Sequence, residues 1–221
     1  SDAGEAEALI NAFTVNETYF YREEHQLRCL SQSLLPERIQ GKRPGDKVRI
    51  WSNPCSSGEE PYSIALWLLE NWRYVDAYNV EIVGSDIDTI ALADAAAGEY
   101  GERALSKLPP SVVESYFEPA RHRRRKIIDD LRESITLSPV NLIDPASMAE
   151  QGRFDVIFCR NVLIYFDEAS RKTAAETLFG ALVPGGFLCL GHTESMGRIS
   201  ADFTLRRFPD AIVYQRPNRV A

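Results

Sequence analysis

From Val48 onward the chain sets short apolar runs between longer amphipathic stretches. Val48 to Trp51, Val80 to Gly84 (VEIVG), Phe154 to Cys159 (FDVIFC) and Phe187 to Leu190 (FLCL) have the length and apolar density of buried strands. Helical spacing fills the intervals. Glu60 to Trp72 is amphipathic, and Asp88 to Ala97 is Ala-rich and stopped by Gly98. A third helix is predicted from about Glu168 to Leu182, ended by Pro184, Gly185 and Gly186. This alternation predicts an α/β fold with a doubly wound, mostly parallel, Rossmann-like sheet. Near the end, FTLRRF and AIVYQ alternate on either side of Pro209 and Asp210, which predicts a C-terminal antiparallel hairpin closing the sheet edge.

Two segments break the alternation. At the start, Asp2 to Phe13 combines acidic helix formers with Leu9, Ile10 and Phe13 at helical spacing, so a short helix is predicted. Asn16 then offers a cap for a second helix, with Tyr19, Phe20, Leu27 and Leu30 supplying one face, and Gly41 to Asp46 is turn-rich. The stretch from about Leu105 to Leu137 is too long for a plain connection and carries charged, partly alternating runs. It reads as a small inserted β-subdomain. The expected organisation is a helical linker over 1–35 and one α/β domain over 36–221, with the insertion at about 105–137.

Composition narrows the class. The chain has 221 residues, 44% apolar and 26% charged, and no apolar run nears the roughly 20 residues needed to cross a bilayer, so a soluble protein without membrane insertion is expected. A net charge of -7 gives no reason to expect nucleic acid; the local exception is the basic run Arg121 to Lys126 (RHRRRK). Cys29, Cys55, Cys159 and Cys189 are widely spaced without a C-x-x-C pair, which suggests neither zinc nor a disulfide framework. With no secretory signal visible, a cytoplasmic monomer with reduced thiols is expected. The first residue is not Met, and the chain is expected to be part of a longer protein.

In doubly wound sheets ligands bind beyond the carboxyl ends of the strands, so residues just past each strand carry the candidate chemistry. After the first comes SNPCSSGEE (Ser52 to Glu60), small-residued but with a single Gly, Gly58, and without the G-x-G-x-x-G pattern. After the second, Asp86 in SDID can accept hydrogen bonds from both hydroxyls of a ribose; alternatively Asp86 or Asp88 caps the next helix. Arg160 and Asn161 in RNVLIYFD follow a buried strand and either meet a ligand or cap the strand end. His192 in GHTES lacks a matching nucleophile and carboxylate and reads as structural. An acid at a strand end beside a small-residue loop suits adenosine. The missing Gly-rich and P-loop patterns disfavour a dinucleotide and ATP, and adenosylmethionine satisfies both conditions.

The blocks NETYFYR (Asn16 to Arg22), WSNPCSSGEEPYS (Trp51 to Ser63), SDID (Ser85 to Asp88), VNL (Val140 to Leu142), FDVIFCRNVLIYFD (Phe154 to Asp167) and GHTES (Gly191 to Ser195) occur in the order found in the CheR family. The chain thus resembles the protein-glutamate O-methyltransferases of bacterial chemotaxis. The resemblance implies S-adenosylmethionine as cofactor, S-adenosylhomocysteine as product, and a methyltransferase sheet carrying a small β-subdomain. It implies that Asn16, Thr18 and Arg22 reach the cofactor from the linker, that Glu60 and Asp86 contact its amino-acid and ribose portions, and that Asn141, Leu142, Arg160 and Asn161 complete the pocket. Arg22 and Tyr165 are implied to lie nearest the transferring methyl; Tyr165 alternatively reads as a buried strand-end aromatic.

The implied partner is the cytoplasmic domain of methyl-accepting chemotaxis receptors, methylated on glutamate. Family members typically carry a basic helical domain ahead of the NETYFYR block, where this chain has little more than a linker. Some carry a Gly-containing loop in the subdomain that grips a receptor peptide; Glu118 to Leu137 has no Gly, so a tether-independent enzyme is expected. Two other functions use the same residues: methyl transfer to another protein or a small molecule, and a non-catalytic module binding adenosylmethionine or its demethylated product. A glutamate acceptor, with a pKa of about 4.3, is already ionised and needs no general base. The RHRRRK run then either steers anionic receptor helices or forms a solvated loop.

Overall fold

The computed structural model describes residues 18–218, so the helix expected at Asp2 to Phe13 and the cap at Asn16 lie outside the described residues. The chain enters through a turn, followed by α1 (Glu24–Cys29), a π-helical turn (Leu30–Leu34) and α2 (Leu35–Arg38). Tyr19 and Phe20 therefore do not share a helix with Leu27 and Leu30 as expected. Tyr21 (φ 57°) and Glu23 (φ 55°) are left-handed, which breaks any helix running through them. Phe20 is still fully buried, packed edge-on against Tyr100 and Phe117 with ring centroids 4.8 and 5.6 Å away.

The alternating region follows: β1 (Lys47–Ser52), α3 (Glu59–Asn71), β2 (Asn79–Asp86) and α4 (Thr89–Ala97). Next come β3 (Glu99–Gly101), α5 (Glu102–Leu105), α6 (Pro110–Tyr116), β4 (Arg124–Lys126) and α7 (Asp129–Glu133). The chain then runs through β5 (Ile135–Pro139), α8 (Pro145–Glu150), β6 (Phe154–Cys159), α9 (Glu168–Ala181), β7 (Leu182–Leu190), β8 (Thr204–Arg207) and β9 (Ile212–Gln215). Side-chain caps mark some of the helix starts. Asp88 accepts from the N–H groups of Ile90 and Ala91, and Asp167 from that of Ser170.

The main sheet has seven strands in the order β5-β2-β1-β6-β7-β9-β8. The first five are parallel, and β9 and β8 add the antiparallel hairpin. Side chains alternate between two cores. Ile50, Val156, Phe158, Phe187 and Cys189 face one, while Trp51, Ile157, Cys159, Leu188 and Leu190 face the other. The order reverses between β1 and β6, because the chain fills one side with β2 and β5 before returning to build the other. A crevice opens there at the carboxyl ends of both strands.

Two details differ from expectation. Ile135 to Leu137 lies within β5, which pairs in parallel with β2. The segment before it carries more helix than strand, and its two-stranded sheet joins β4 to β3, which precedes Leu105. Pro184 and Gly185 do not end α9 but sit inside β7. Helix gives way to strand at Leu182, and Gly185 (φ 76°) accompanies a register irregularity against β6.

Gly58 shows how tightly the loop after β1 is set. Its φ is 93°, and a Cβ there would fall 2.8 Å from the Ala95 Cβ and 2.9 Å from the Tyr100 hydroxyl. Gly58→Ala combines backbone strain with a steric clash and should destabilise the protein by about 2–4 kcal/mol, measured as a lowered denaturant midpoint at unchanged slope.

Candidate cofactor and methyl-transfer site

A cavity of about 480 Å³ lies at the crevice, a volume suited to a cofactor-sized ligand. Thr18, Arg22, Glu60, Asp86, Asn141, Leu142, Arg160, Asn161 and Tyr165 all line it, drawn from separate blocks of sequence. Asn16 lies outside the described residues. The residues come together because strand ends β1, β2, β5 and β6 finish on one edge of the sheet and the linker turn folds over them.

Asp86 ends β2 and is 4% exposed. It does not cap α4, which is the role of Asp88. One Asp86 oxygen accepts from the Ser56 N–H at 2.7 Å and the other from the Asp88 N–H at 3.0 Å, so the carboxylate fixes the small-residue loop against β2. A carboxylate has about four acceptor sites, so capacity remains for a further donor. Burial pushes its pKa above the usual aspartate range, with the backbone N–H donors opposing.

Arg160 follows β6 and is almost wholly buried. Its Nη1 donates to Glu60 at 2.7 Å, and its Nη2 lies 3.1 Å from Glu23 Oε2 and donates to the Arg22 carbonyl oxygen at 3.1 Å. Ser52 Oγ donates to the second Glu60 oxygen at 2.8 Å. Arg160 Nε is buried with no partner among the described residues. Burial opposes ionisation of Glu23, but Arg160 and His192 outweigh it and hold this carboxyl below the usual glutamate range. A lowered folded pKa stabilises the protein above the unfolded value and loses that contribution as pH falls through the folded one.

Asn161 is left-handed (φ 59°) and leads into a 3-10 turn, Leu163–Tyr165. The carboxylate of Glu194, in the loop after β7, holds this turn. It accepts from the N–H groups of Asn161 (2.7 Å), Val162 (3.0 Å), Leu163 (2.8 Å) and Gly191 (2.9 Å). A Cβ at Gly191 would lie 2.8 Å from Glu194 Oε2, so the close approach requires glycine there. Tyr165 is 62% exposed while lining the cavity, which overturns its reading as a buried strand-end aromatic. The 3-10 turn, which strand periodicity does not reveal, carries the ring out to the rim.

Asn141 forms a turn of its own, its Oδ1 accepting from the Ile143 N–H at 3.2 Å. His192 is exposed and bonds Glu23 through Nδ1 at 2.8 Å, a supporting place in keeping with its structural reading. The RHRRRK run lies on the small subdomain. Arg123 pairs with Glu102, Arg124 with Glu99 and Lys126 with Asp129, and none of the run lines the cavity. Sequence reasoning missed Glu23 and Glu194. Glu194 lies inside the GHTES block and Glu23 directly follows NETYFYR, but most of their partners are far away along the chain.

The cavity fits adenosylmethionine on the chemistry of its walls. Asp86 offers buried acceptor capacity for ribose hydroxyls, Glu60 offers an anionic oxygen to an ammonium group, and Arg160 retains a buried donor with no partner among the described residues. The four cysteines are free and buried. No helix among the described residues is long and apolar enough to cross a membrane.

A family model described as "CheR methyltransferase, SAM binding domain" matches residues 16–212. Chemotaxis protein methyltransferase 2 of Vibrio cholerae serotype O1 is 47% identical over 215 residues, covering 97% of this chain and 74% of that protein. Chemotaxis protein methyltransferase 1 of Pseudomonas aeruginosa is 35% identical over 217 residues, covering 96% of this chain and 78% of that protein. Among solved structures, the N-methyltransferase NodS from Bradyrhizobium japonicum with S-adenosyl-L-homocysteine aligns at 14% identity and a TM-score of 0.47, covering 91% of this chain and 90% of that one.

Proposed function

From the premise that this chain belongs to the CheR methyltransferase family, and is an S-adenosylmethionine-dependent methyltransferase of chemotaxis, we propose that it methylates glutamate carboxylates on the cytoplasmic domains of chemoreceptors. The observation that carries this reading is the cleft at the strand-order reversal, whose walls join Arg22, Glu60, Asp86, Arg160 and Tyr165.

When bound, the cofactor supplies an electrophilic sulfonium methyl. Thr18, Glu60, Asp86, Asn141, Leu142, Arg160 and Asn161, which line the cavity, would hold it. A glutamate acceptor arrives ionised at neutral pH, with a pKa of about 4.3, so the chain has no proton to remove. Among the described residues lining the cavity there is neither His nor Lys, which suits an acceptor of this kind. Charge is neutralised during the transfer, and water favours the separated charges, so the residues must orient the carboxylate and exclude solvent. Arg22 positions the acceptor or cofactor without gripping the attacking oxygen, since a tight ion pair there would lower its nucleophilicity. Tyr165 at the rim donates a hydrogen bond or packs beside the reacting centre.

Tyr165→Phe should lower kcat by about 10-fold while leaving S-adenosylhomocysteine affinity within about 2-fold, measured by steady-state kinetics and calorimetry. Equal loss of affinity would place Tyr165 with the cofactor instead. Labelled adenosylmethionine and a purified receptor cytoplasmic fragment should give protein-bound label that mild base releases as methanol. Base-stable label would sink the glutamate assignment.

A further inference from the structure

Arg22 stands between two left-handed residues, Tyr21 (φ 57°) and Glu23 (φ 55°), a conformation that side chains bearing a Cβ adopt only when their surroundings over-determine it. The contacts that impose it are on hand. The Tyr21 N–H donates to Ser63 Oγ at 3.0 Å, and Arg160 Nη2 holds the Arg22 carbonyl oxygen at 3.1 Å. The Glu23 carboxylate gathers three side chains: Arg160 Nη2 at 3.1 Å, Gln26 Nε2 at 2.7 Å and His192 Nδ1 at 2.8 Å. Gln26 Nε2 also donates to the Leu190 carbonyl oxygen at 2.8 Å, which ties the turn to the end of β7. Glu23 does not line the cavity, whereas Arg22 and Arg160, on either side of this network, both do.

We propose that Glu23 is a positioning residue: its carboxylate joins the strained linker turn to Arg160 and to the ends of β6 and β7, and thereby sets the direction in which Arg22 enters the cofactor cavity. A left-handed backbone on a residue with a Cβ is held by its anchors and relaxes once one of them goes. Arg22 then loses its alignment, although its side chain is unchanged. This inference rests on the reading of the cavity as the cofactor site with Arg22 in it.

The test is a double-mutant cycle read by calorimetric titration with S-adenosylhomocysteine, which needs no methyl acceptor. Glu23→Gln keeps an acceptor oxygen but removes the charge. On the wild-type background it should raise Kd by about 10-fold, and on the Arg22→Ala background by less than about 2-fold, because a positioning residue has no effect once its target is gone. Glu23→Gly suits the left-handed backbone and repeats the cycle should Glu23→Gln unfold at a lower temperature. An unchanged Kd in Glu23→Gln, or an effect that multiplies fully with that of Arg22→Ala, would overturn the positioning role. Failure of the wild-type protein to bind at all would overturn the cavity assignment together with it. Absence of transfer to a receptor fragment, with the binding cycle intact, would overturn only the acceptor.

Discussion

Replacing Asp86 with alanine is expected to weaken S-adenosylhomocysteine binding by about 100-fold. The arithmetic follows from hydrogen bonds to a charged acceptor, worth about 1.5 kcal/mol each, of which a ribose can make two. The loop after β1 adds to the loss, because the Ser56 N–H that Asp86 accepts helps shape the cavity wall. Asp86→Asn retains one acceptor oxygen and should fall between the two. Binding should also weaken on acidification at a higher pH than an ordinary aspartate would dictate, since burial raises this carboxyl. The sign for stability is the opposite one. A raised folded pKa contributes stability that is complete below the unfolded value and lost as pH rises through the folded one. At neutral pH the protein therefore carries Asp86 at a cost to stability, as expected of a group kept for binding. Equal affinity in Asp86→Ala and wild type would remove the ribose assignment.

The second large effect is on folding. Arg160→Ala should destabilise the protein by about 3–5 kcal/mol, because it strands two carboxylates with little access to water. Side-chain exposure is 5% for Arg160, 11% for Glu23 and 14% for Glu60, so solvent screens this cluster little. Arg160→Lys should recover only part of the loss, since a single ammonium cannot reproduce the fork that spans Glu60, Glu23 and the Arg22 carbonyl. Denaturant unfolding measures both variants. A loss below about 1 kcal/mol would show that water reaches the carboxylates, as at a surface ion pair.

The two variants touch different parts of the same history from sequence to site. Asp86 was legible because it stands where a strand pattern stops, and the fold rule for doubly wound sheets gives that place a meaning. Phe154 to Cys159 was legible for a related reason: six consecutive buried positions leave little choice but a central strand. Ile135–Pro139 was not, because among the described residues β5 is an edge strand paired only with β2, and its ITLSP sequence is short and half polar. The turn at Tyr21 and Glu23 was equally hidden. Neither residue favours a left-handed backbone, and the contacts that enforce it come from Ser63, Arg160 and His192, far away along the chain.

Glu194 shows the same limit within a motif. In GHTES the histidine reads as structural and the glutamate carries no role of its own, yet Glu194 accepts four backbone hydrogen bonds and organises the turn that bears Tyr165. Local sequence shows that a polar residue follows a strand; only the fold shows which N–H groups it meets.

The most direct test of the acceptor is peptide mass spectrometry of a chemoreceptor cytoplasmic fragment after incubation with adenosylmethionine and the protein. The account predicts the mass increment of a methyl ester on glutamate side chains, removed by mild base and strongly reduced with Asp86→Ala. Methylation confined to other residue types, or none on the fragment while the protein binds S-adenosylhomocysteine normally, would contradict it.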